Sequence, residues 1–401
     1  MNHRMSVVLR ICVCITLWLV LPAPLVAQSS TFIDAFVPQQ SGGLDGPVGL
    51  VFGPDDHFYV TSFGNGSVLR YDGDTGAFID TFAVGATQPN DLVFGPDGNL
   101  YVSSNSTDTV RRYNGQTGAF IDEFVSSRDA GLSNPSGLVF GTDENLYVAS
   151  SNSGEVLRFD GDSGEFIDAF VLARSGGLGS AYGLTFGPDG NLYVGSMGPD
   201  EILRYDGQTG AFIDEFVPRA ISRLNDVRHI TFGPEGNLYA SSRLTDEIMR
   251  YDGQTGEFID VYVSAGQGGL FGPNGLLFGP DDNLYVASTS SDEVLRYAGP
   301  SLTNIGLDQL QNYRDAVPVP SVFPNPFRAH TTFDYHIAHP TQVRLALFDK
   351  TGRLVRTIVD HNQPAGRHEV RFDPGGLPGG AYLYRFIAGD VLHTGYLMYI
   401  K

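Results

Sequence analysis

Apolar residues in this chain fall in short runs bounded by glycine, asparagine, aspartate and proline, and the runs return with a fixed beat. A stretch close to Phe-Gly-Pro-Asp-Gly-Asn-Leu-Tyr-Val begins at Phe52, Phe94, Phe140, Phe186, Phe232 and Phe278, and the last four intervals are 46 residues each. Each unit carries a second block, close to Leu-Arg-Tyr-Asp-Gly-Gln-Thr-Gly-Ala-Phe-Ile-Asp-Glu-Phe-Val, anchored by Arg70, Arg112, Arg158, Arg204 and Arg250. In one unit, Leu184-Thr185-Phe186, Leu192-Tyr193-Val194, Ile202 to Tyr205 and Phe212 to Val217 are β-favouring runs, so four strands per unit are predicted. Asp189-Gly190 is a tight-hairpin pair, and Asp206 to Gly210 supplies the next turn. No part of the unit has helical spacing.

Such a period means stacked or radial repeats. Four-stranded units of this length, six times over, fit the blades of a β-propeller, whose closure leaves no long sheet edge exposed. The sixth unit stops after Arg296-Tyr297, at Ala298-Gly299-Pro300, without its fourth run, whereas Phe32 to Val37 repeats Phe166 to Val171 letter for letter ahead of the first unit. The N-terminal run is therefore expected to complete the last blade and fasten the ring. Repeated residues such as Arg204, Tyr205, Asp206, Gly210 and Asp214 point to construction, and function is expected where the copies differ.

The Pro-x-Gly-Leu-x-Phe-Gly-Pro-Asp-Gly-Asn-Leu-Tyr-Val pattern over residues 31–299 resembles the six-bladed family that holds NHL-repeat proteins, the regucalcin and gluconolactonase group and the streptogramin lyases. The resemblance implies the architecture but no single activity, because propellers host lyases, lactonases and pure binding modules alike.

Composition adds a destination. Arg4 and Arg10 precede an apolar run from Ile11 to Leu21, and Leu25-Val26-Ala27 offers a cleavage point, so residues 1–27 read as an export signal too short to span a bilayer. Cys12, Cys14 and Trp18 all lie in this leader, which leaves a mature chain without thiols, disulfides or a transmembrane span. Losing Arg4 and Arg10 takes the formal charge from −20 to −22, which argues against nucleic acid and anionic membranes as partners. From Pro318 onward nine basic residues outnumber six acidic ones, so the acidity sits in the repeats and a second domain follows them.

Candidate chemistry comes from the variable positions ahead of each Phe-Gly motif: Val48-Gly49, Asn90-Asp91, Ser136-Gly137, Tyr182-Gly183, Arg228-His229 and Asn274-Gly275. They are expected where the backbone enters near the central channel. Asn90, Asp91, Ser136, Tyr182, Arg228, His229 and Asn274 are the candidate ligand-binding residues, with Arg228 the natural contact for an anionic or carbonyl group. By resemblance to the regucalcin group, Pro89-Asn90-Asp91 and Pro273-Asn274-Gly275 match segments that hold a divalent metal and a lactone, and Asp45-Gly46-Pro47 approximates a glutamate segment. Ser136 and Tyr182 stand where further ligands would be needed, so the quartet is incomplete. Resemblance to the streptogramin lyases would give His229 the role of a base. Asp72-Gly73-Asp74 and Asp160-Gly161-Asp162 lack the spacing of an EF-type calcium loop. Ser62, Ser104, Ser150, Ser196, Ser242 and Ser288 recur in every unit and read as hydroxyls serving strand ends, not nucleophiles.

From Pro320 the alternation changes to about seven short strands divided at Asp349 to Gly352, Pro364 to Gly366 and Pro374 to Gly376, the pattern of a small immunoglobulin-like β-sandwich over 320–401 after a linker at 300–319. Pro324-Asn325-Pro326, Asp349-Lys350-Thr351-Gly352, Gly380-Ala381-Tyr382 and Lys401 resemble the type A sorting domain of type IX secretion. That resemblance implies the secretion machinery as a partner and the surface of a Gram-negative bacterium, or its surroundings, as the destination. The sequence thus reads as an all-β, exported propeller that binds a small molecule, glycan or protein at its channel face without catalysis, metal or cofactor. The rival reading is a Ca²⁺- or Mg²⁺-dependent lactonase or lyase at the same mouth.

Overall fold

The computed structural model describes residues 30–126, 131–300, 320–323, 327–337, 340–348, 353–388, 391–399 and 401. The leader, the linker and the segments Pro324-Asn325-Pro326 and Asp349 to Gly352 lie outside the described residues.

Nearly every described element is a strand, and the one α-helical turn is Arg219–Ser222. Between Phe32 and Tyr297 the strands form four-stranded antiparallel sheets, each a simple up-and-down meander except the last. That sheet takes its outermost strand from Phe32–Val37, which pairs with Glu293–Tyr297. The innermost strands, Pro47–Phe52, Pro89–Phe94, Pro135–Phe140, Ser180–Phe186, Val227–Phe232 and Pro273–Phe278, each pack on the next, and the last packs on the first. The sheets therefore form a closed ring of six blades, numbered here from the innermost strand Pro47–Phe52.

Second strands such as Leu146–Ser150 and Leu284–Ser288 are buried at every residue because a neighbouring blade covers each face. The hydrophobic clusters consequently lie between blades. Tyr59, Val68 and Phe82 of the first blade pack with Leu92, Leu100 and Val102 of the second. The junction of sixth and first blades gathers Phe36, Val37, Tyr285 and Val294 with Leu50, Phe58 and Leu69. Phe36 meets Tyr285 edge-on at 4.9 Å between centroids.

The repeated polar residues build the blades as expected. Arg70, Arg112, Arg158, Arg204, Arg250 and Arg296 each fork onto the aspartate of the adjacent outer strand, Asp80, Asp122, Asp168, Asp214, Asp260 and Asp34. The five half-exposed pairs contribute below about 1 kcal/mol each, and the Arg250–Asp260 pair is buried. The recurring serines accept a backbone N–H from the loop that enters their own blade, as Ser104 does from Thr87 at 2.7 Å and Ser242 from Asn225 at 2.9 Å. Asp72 and Asp206 spend Oδ1 on Thr75 and Thr209 inside their turns. Neighbouring blades are also latched. Asp108, Asp200, Asp246 and Asp292, all at positive φ, accept the backbone N–H of Asn134, Asp226, Gly272 and Gly46 in the following blade.

Beyond the ring, Ser321–Phe323, Thr331–Ile337 and Gly366–Phe372 form one sheet, and Leu354–Gln363, Thr341–Phe348, Gly380–Ala388 and Val391–Tyr399 another. Phe333, Tyr335, Leu345, Leu347, Phe386 and Leu397 from both sheets share one core, which makes this a β-sandwich. Among the described residues no helix is long and apolar enough to cross a membrane.

Candidate functional site

The variable positions lie inside the innermost strands, one step further along than their expected place ahead of them. Each of these strands carries one more residue than its partner, between Pro47 and Leu50, Pro89 and Leu92, Pro135 and Leu138, Ala181 and Leu184, Val227 and Ile230, and Pro273 and Leu276. A bulge of this kind re-aims the side chains beside it. Here it turns Val48, Asn90, Tyr182, Arg228 and Asn274 toward one central space. The following position is glycine in four blades, because a Cβ on Gly49, Gly137, Gly183 or Gly275 would lie 2.1 to 2.8 Å from a backbone oxygen of the next blade. In the second and fifth blades it is Asp91 and His229, and these blades stand opposite each other in a ring of six.

Asp91 and His229 therefore face each other across the hub, Asp91 buried and His229 half-buried with its Nδ1 sealed from solvent. The Asp91 carboxylate accepts Leu92 N–H at 2.9 Å and Leu138 N–H at 2.9 Å. Burial pushes its pKa up, against the opposing pull of His229 and those two amides. Burial likewise pushes the His229 imidazole down, against the opposing pull of Asp91. The matching hydroxyls Ser103 and Ser241 hold both residues from behind, accepting the N–H of Asp91 at 2.8 Å and of His229 at 2.9 Å while donating to the carbonyls of Ser136 and Asn274. A histidine held neutral by burial stabilises the fold fully above its unfolded pKa of about 6.5 and loses that contribution as pH falls toward the lowered folded value. Asp91, with its raised pKa, acts in the opposite direction, so the expected result is a difference: between pH 7 and pH 5 the Tm of His229→Gln falls less, or rises more, than that of the native chain in calorimetry at matched salt. Parallel slopes for the two proteins would remove His229 as the group responsible.

Arg228 completes the mouth. Its guanidinium lies 4.5 Å from the Tyr182 ring and donates to Asp226 Oδ2 at 2.7 Å, and Arg243 reaches the same oxygen at 3.4 Å. Burial pulls its pKa down, but Tyr182 and Asp226 outweigh burial and hold it above its ordinary value. Tyr182 accepts from Asn90 Nδ2 through its hydroxyl at 2.7 Å. Arg228 Nε and His229 Nδ1 are sealed without a hydrogen-bond partner, two of three such side-chain atoms among the described residues. The space among these side chains is partly open and measures about 10 Å³, room for about one water.

Six of the seven candidate residues thus converge. Ser136 does not line the space, because its hydroxyl turns to the carbonyls of Ala181 and Tyr182 in the next blade. Asp45 is exposed in the loop entering the first blade and does not reach the hub. Asp226 escaped the sequence reading, and its one signal was an Asn-Asp pair ahead of a strand start, a combination that tolerates positive φ. A divalent ion fits this set poorly. One carboxylate faces the hub with both oxygens on backbone amides, and among the described residues no three His, Cys, Asp or Glu side chains gather as ligands.

Residues 38–224 match the family described as SMP-30/Gluconolactonase/LRE-like region. The chain matches no curated protein sequence. A gluconolactonase from Xanthomonas campestris is 15% identical over 68% of this chain and 98% of its own, with a TM-score of 0.52. A second structure assigned as a gluconolactonase is 15% identical over 67% and 97%, with a TM-score of 0.54. A streptogramin B lyase, 15% identical over 67% and 96%, scores 0.49. At such identities the likeness to the gluconolactonases speaks to fold. The ring that presents Asn90, Asp91, Tyr182, Arg228, His229 and Asn274 is accordingly a β-propeller similar in fold to the gluconolactonases.

Proposed function

We propose that the chain is an exported propeller that binds a ligand or partner over its channel face without catalysis. In this reading residues 1–27 are a leader, 31–299 the propeller, 300–319 a linker and 320–401 an immunoglobulin-like sorting module of type IX secretion, with the bacterial surface or exterior as destination. The observation that carries the binding reading is the state of the hub. Its side chains are tied to one another and to backbone, and they leave about 10 Å³, so a sugar lactone has no room beside Asp91 or His229 and recognition falls to the rim above them.

The test is an assay of the full chain on gluconolactone with added Ca²⁺ or Mg²⁺. No hydrolysis above the buffer rate is expected. Metal-dependent turnover that disappears in the Asn90→Ala/Asp91→Ala variant would sink this reading and install the lactonase. Export is tested separately, by surface labelling of cells that possess type IX secretion and express the chain with or without residues 320–401. Display is expected to vanish with the tail, and unchanged display would remove the sorting role.

A further inference from the structure

Because the blades are copies of one template, the places where a blade departs from it without structural need mark selection for something else. Arginine shows one such departure. The propeller has thirteen arginines, six of which form the blade pairs. Of the other seven, four fall between residues 219 and 243, at the entrance to the fifth blade: Arg219, Arg223, Arg228 and Arg243. In a chain of net charge −20 this is a local reversal.

Apolar side chains depart at the same place. The turn after the second strand reads Phe63-Gly64, Asn105-Ser106, Ser151-Asn152, Met197-Gly198, Arg243-Leu244 and Thr289-Ser290 around the ring, so Leu244 stands where other blades carry glycine, serine or asparagine. Leu244 N–H bonds Asn225 O in the entrance loop of its blade, and the corresponding bond in the sixth blade runs from Ser290 N–H to Phe271 O. At the Phe271 position the first, second, third and fifth blades have Asp45, Thr87, Ser133 and Asn225. Leu244 is 63% exposed and Phe271 55%. The two loops are joined, because Asp246 Oδ1 accepts Gly272 N–H at 2.7 Å. Arg243, immediately before Leu244, shares Asp226 with Arg228 and so connects this patch to the hub.

We infer that the face of the ring at the fifth and sixth blades docks an acidic peptide segment of a partner protein that carries an apolar side chain. The apolar residue would lie on Leu244 and Phe271, and a neighbouring carboxylate would meet Arg243, whose fork-shaped donor suits carboxylate geometry and which is the more exposed of the two arginines on Asp226. Charge complementarity selects an acidic partner, and the two exposed apolar side chains favour peptide over an acidic glycan, which brings no aliphatic or aromatic side chain to cover them. This inference rests on the channel-face binding reading and narrows it to one sector and one partner chemistry.

The experiment is selection of random twelve-residue phage-displayed peptides on the immobilised full chain, followed by titration of the enriched peptides. The comparison protein carries Arg243→Thr, Leu244→Ser and Phe271→Ser, residues that other blades hold at the same positions, and circular dichroism and Tm verify that it folds. Enriched peptides are expected to be net acidic with at least one Phe, Leu or Trp, and to bind the triple variant about tenfold or more weakly. Enriched peptides that bind both proteins equally, basic peptides, or failure to enrich any peptide would overturn the inference. So would binding of a polyglucuronate oligomer that the triple variant loses, since it would name a glycan instead. Only gluconolactone turnover would overturn the broader reading, so the two failures are distinguishable.

Discussion

Removal of residues 31–38 is expected to lower the melting transition of the propeller by about 10 °C and to broaden it, while the sandwich melts as before. The strand Phe32–Val37 is the outer strand of the sixth blade, and with it go its ladder to Glu293–Tyr297 and the fork of Arg296 on Asp34. Burying Phe36 and Val37 contributes about 2 kcal/mol each. Their loss also uncovers Tyr285 and Val294, which they share with the first blade. A total near 5 kcal/mol in a domain of this size corresponds to roughly the stated shift. Scanning calorimetry of the two chains measures it. A truncated chain that melts within a few degrees of the intact one would show that the ring does not depend on this strand for closure.

The second large effect is expected from one methyl group. Gly210 has φ +70, and a Cβ there would lie 1.8 Å from Phe170 O and 2.8 Å from Phe170 C in the preceding blade. Both atoms are backbone, so relief requires the blades to part. Gly190 in the same blade has φ +79 and nothing within 4 Å of its virtual Cβ. Gly190→Ala therefore measures the left-handed backbone alone, at about 1 kcal/mol. Gly210→Ala adds the collision and is expected to destabilise by about 3 to 5 kcal/mol. Urea melts of both variants give the comparison. Equal losses would mean that the turn glycines do not set the spacing between blades, although Gly76, Gly118, Gly164 and Gly256 approach Phe36, Phe82, Phe124 and Phe216 in the same way.

Much of this architecture can be read from residues alone, because a repeated unit makes local patterning speak several times over. The identity of Phe32 to Val37 with Phe166 to Val171 foretold the partner of Glu293–Tyr297, and the recurrence of Arg204 and Asp214 foretold a constructional role, which is a fork across adjacent strands. The hub was legible as a set of variable positions but not as a shape. Asn90 and Tyr182 are far apart in sequence, and only ring closure sets the amide on the hydroxyl. The bulge that aims them has no residue of its own to announce it. Where four blades need glycine beside it, Asp91 and His229 are the exceptions, and the aligned repeats show that contrast without its steric cause. Ser136 misled because a serine among polar neighbours reads as a wall residue, whereas its hydroxyl has backbone carbonyls within reach. The size of the hub follows from side-chain conformations contributed by all the blades together, which no single segment encodes.

The placement of apolar clusters at the joints between blades also governs how the molecule is made. Asp34 and Arg296, partners in the finished ring, are 262 residues apart along the chain. Contacts of such sequence separation form late and slowly. The earliest part of the ring to be synthesised must therefore wait, with an apolar strand unpaired, for the latest to arrive. Until then Phe36 and Val37 are open to any other strand edge, so a chaperone that holds this segment would protect the nascent chain from aggregation there.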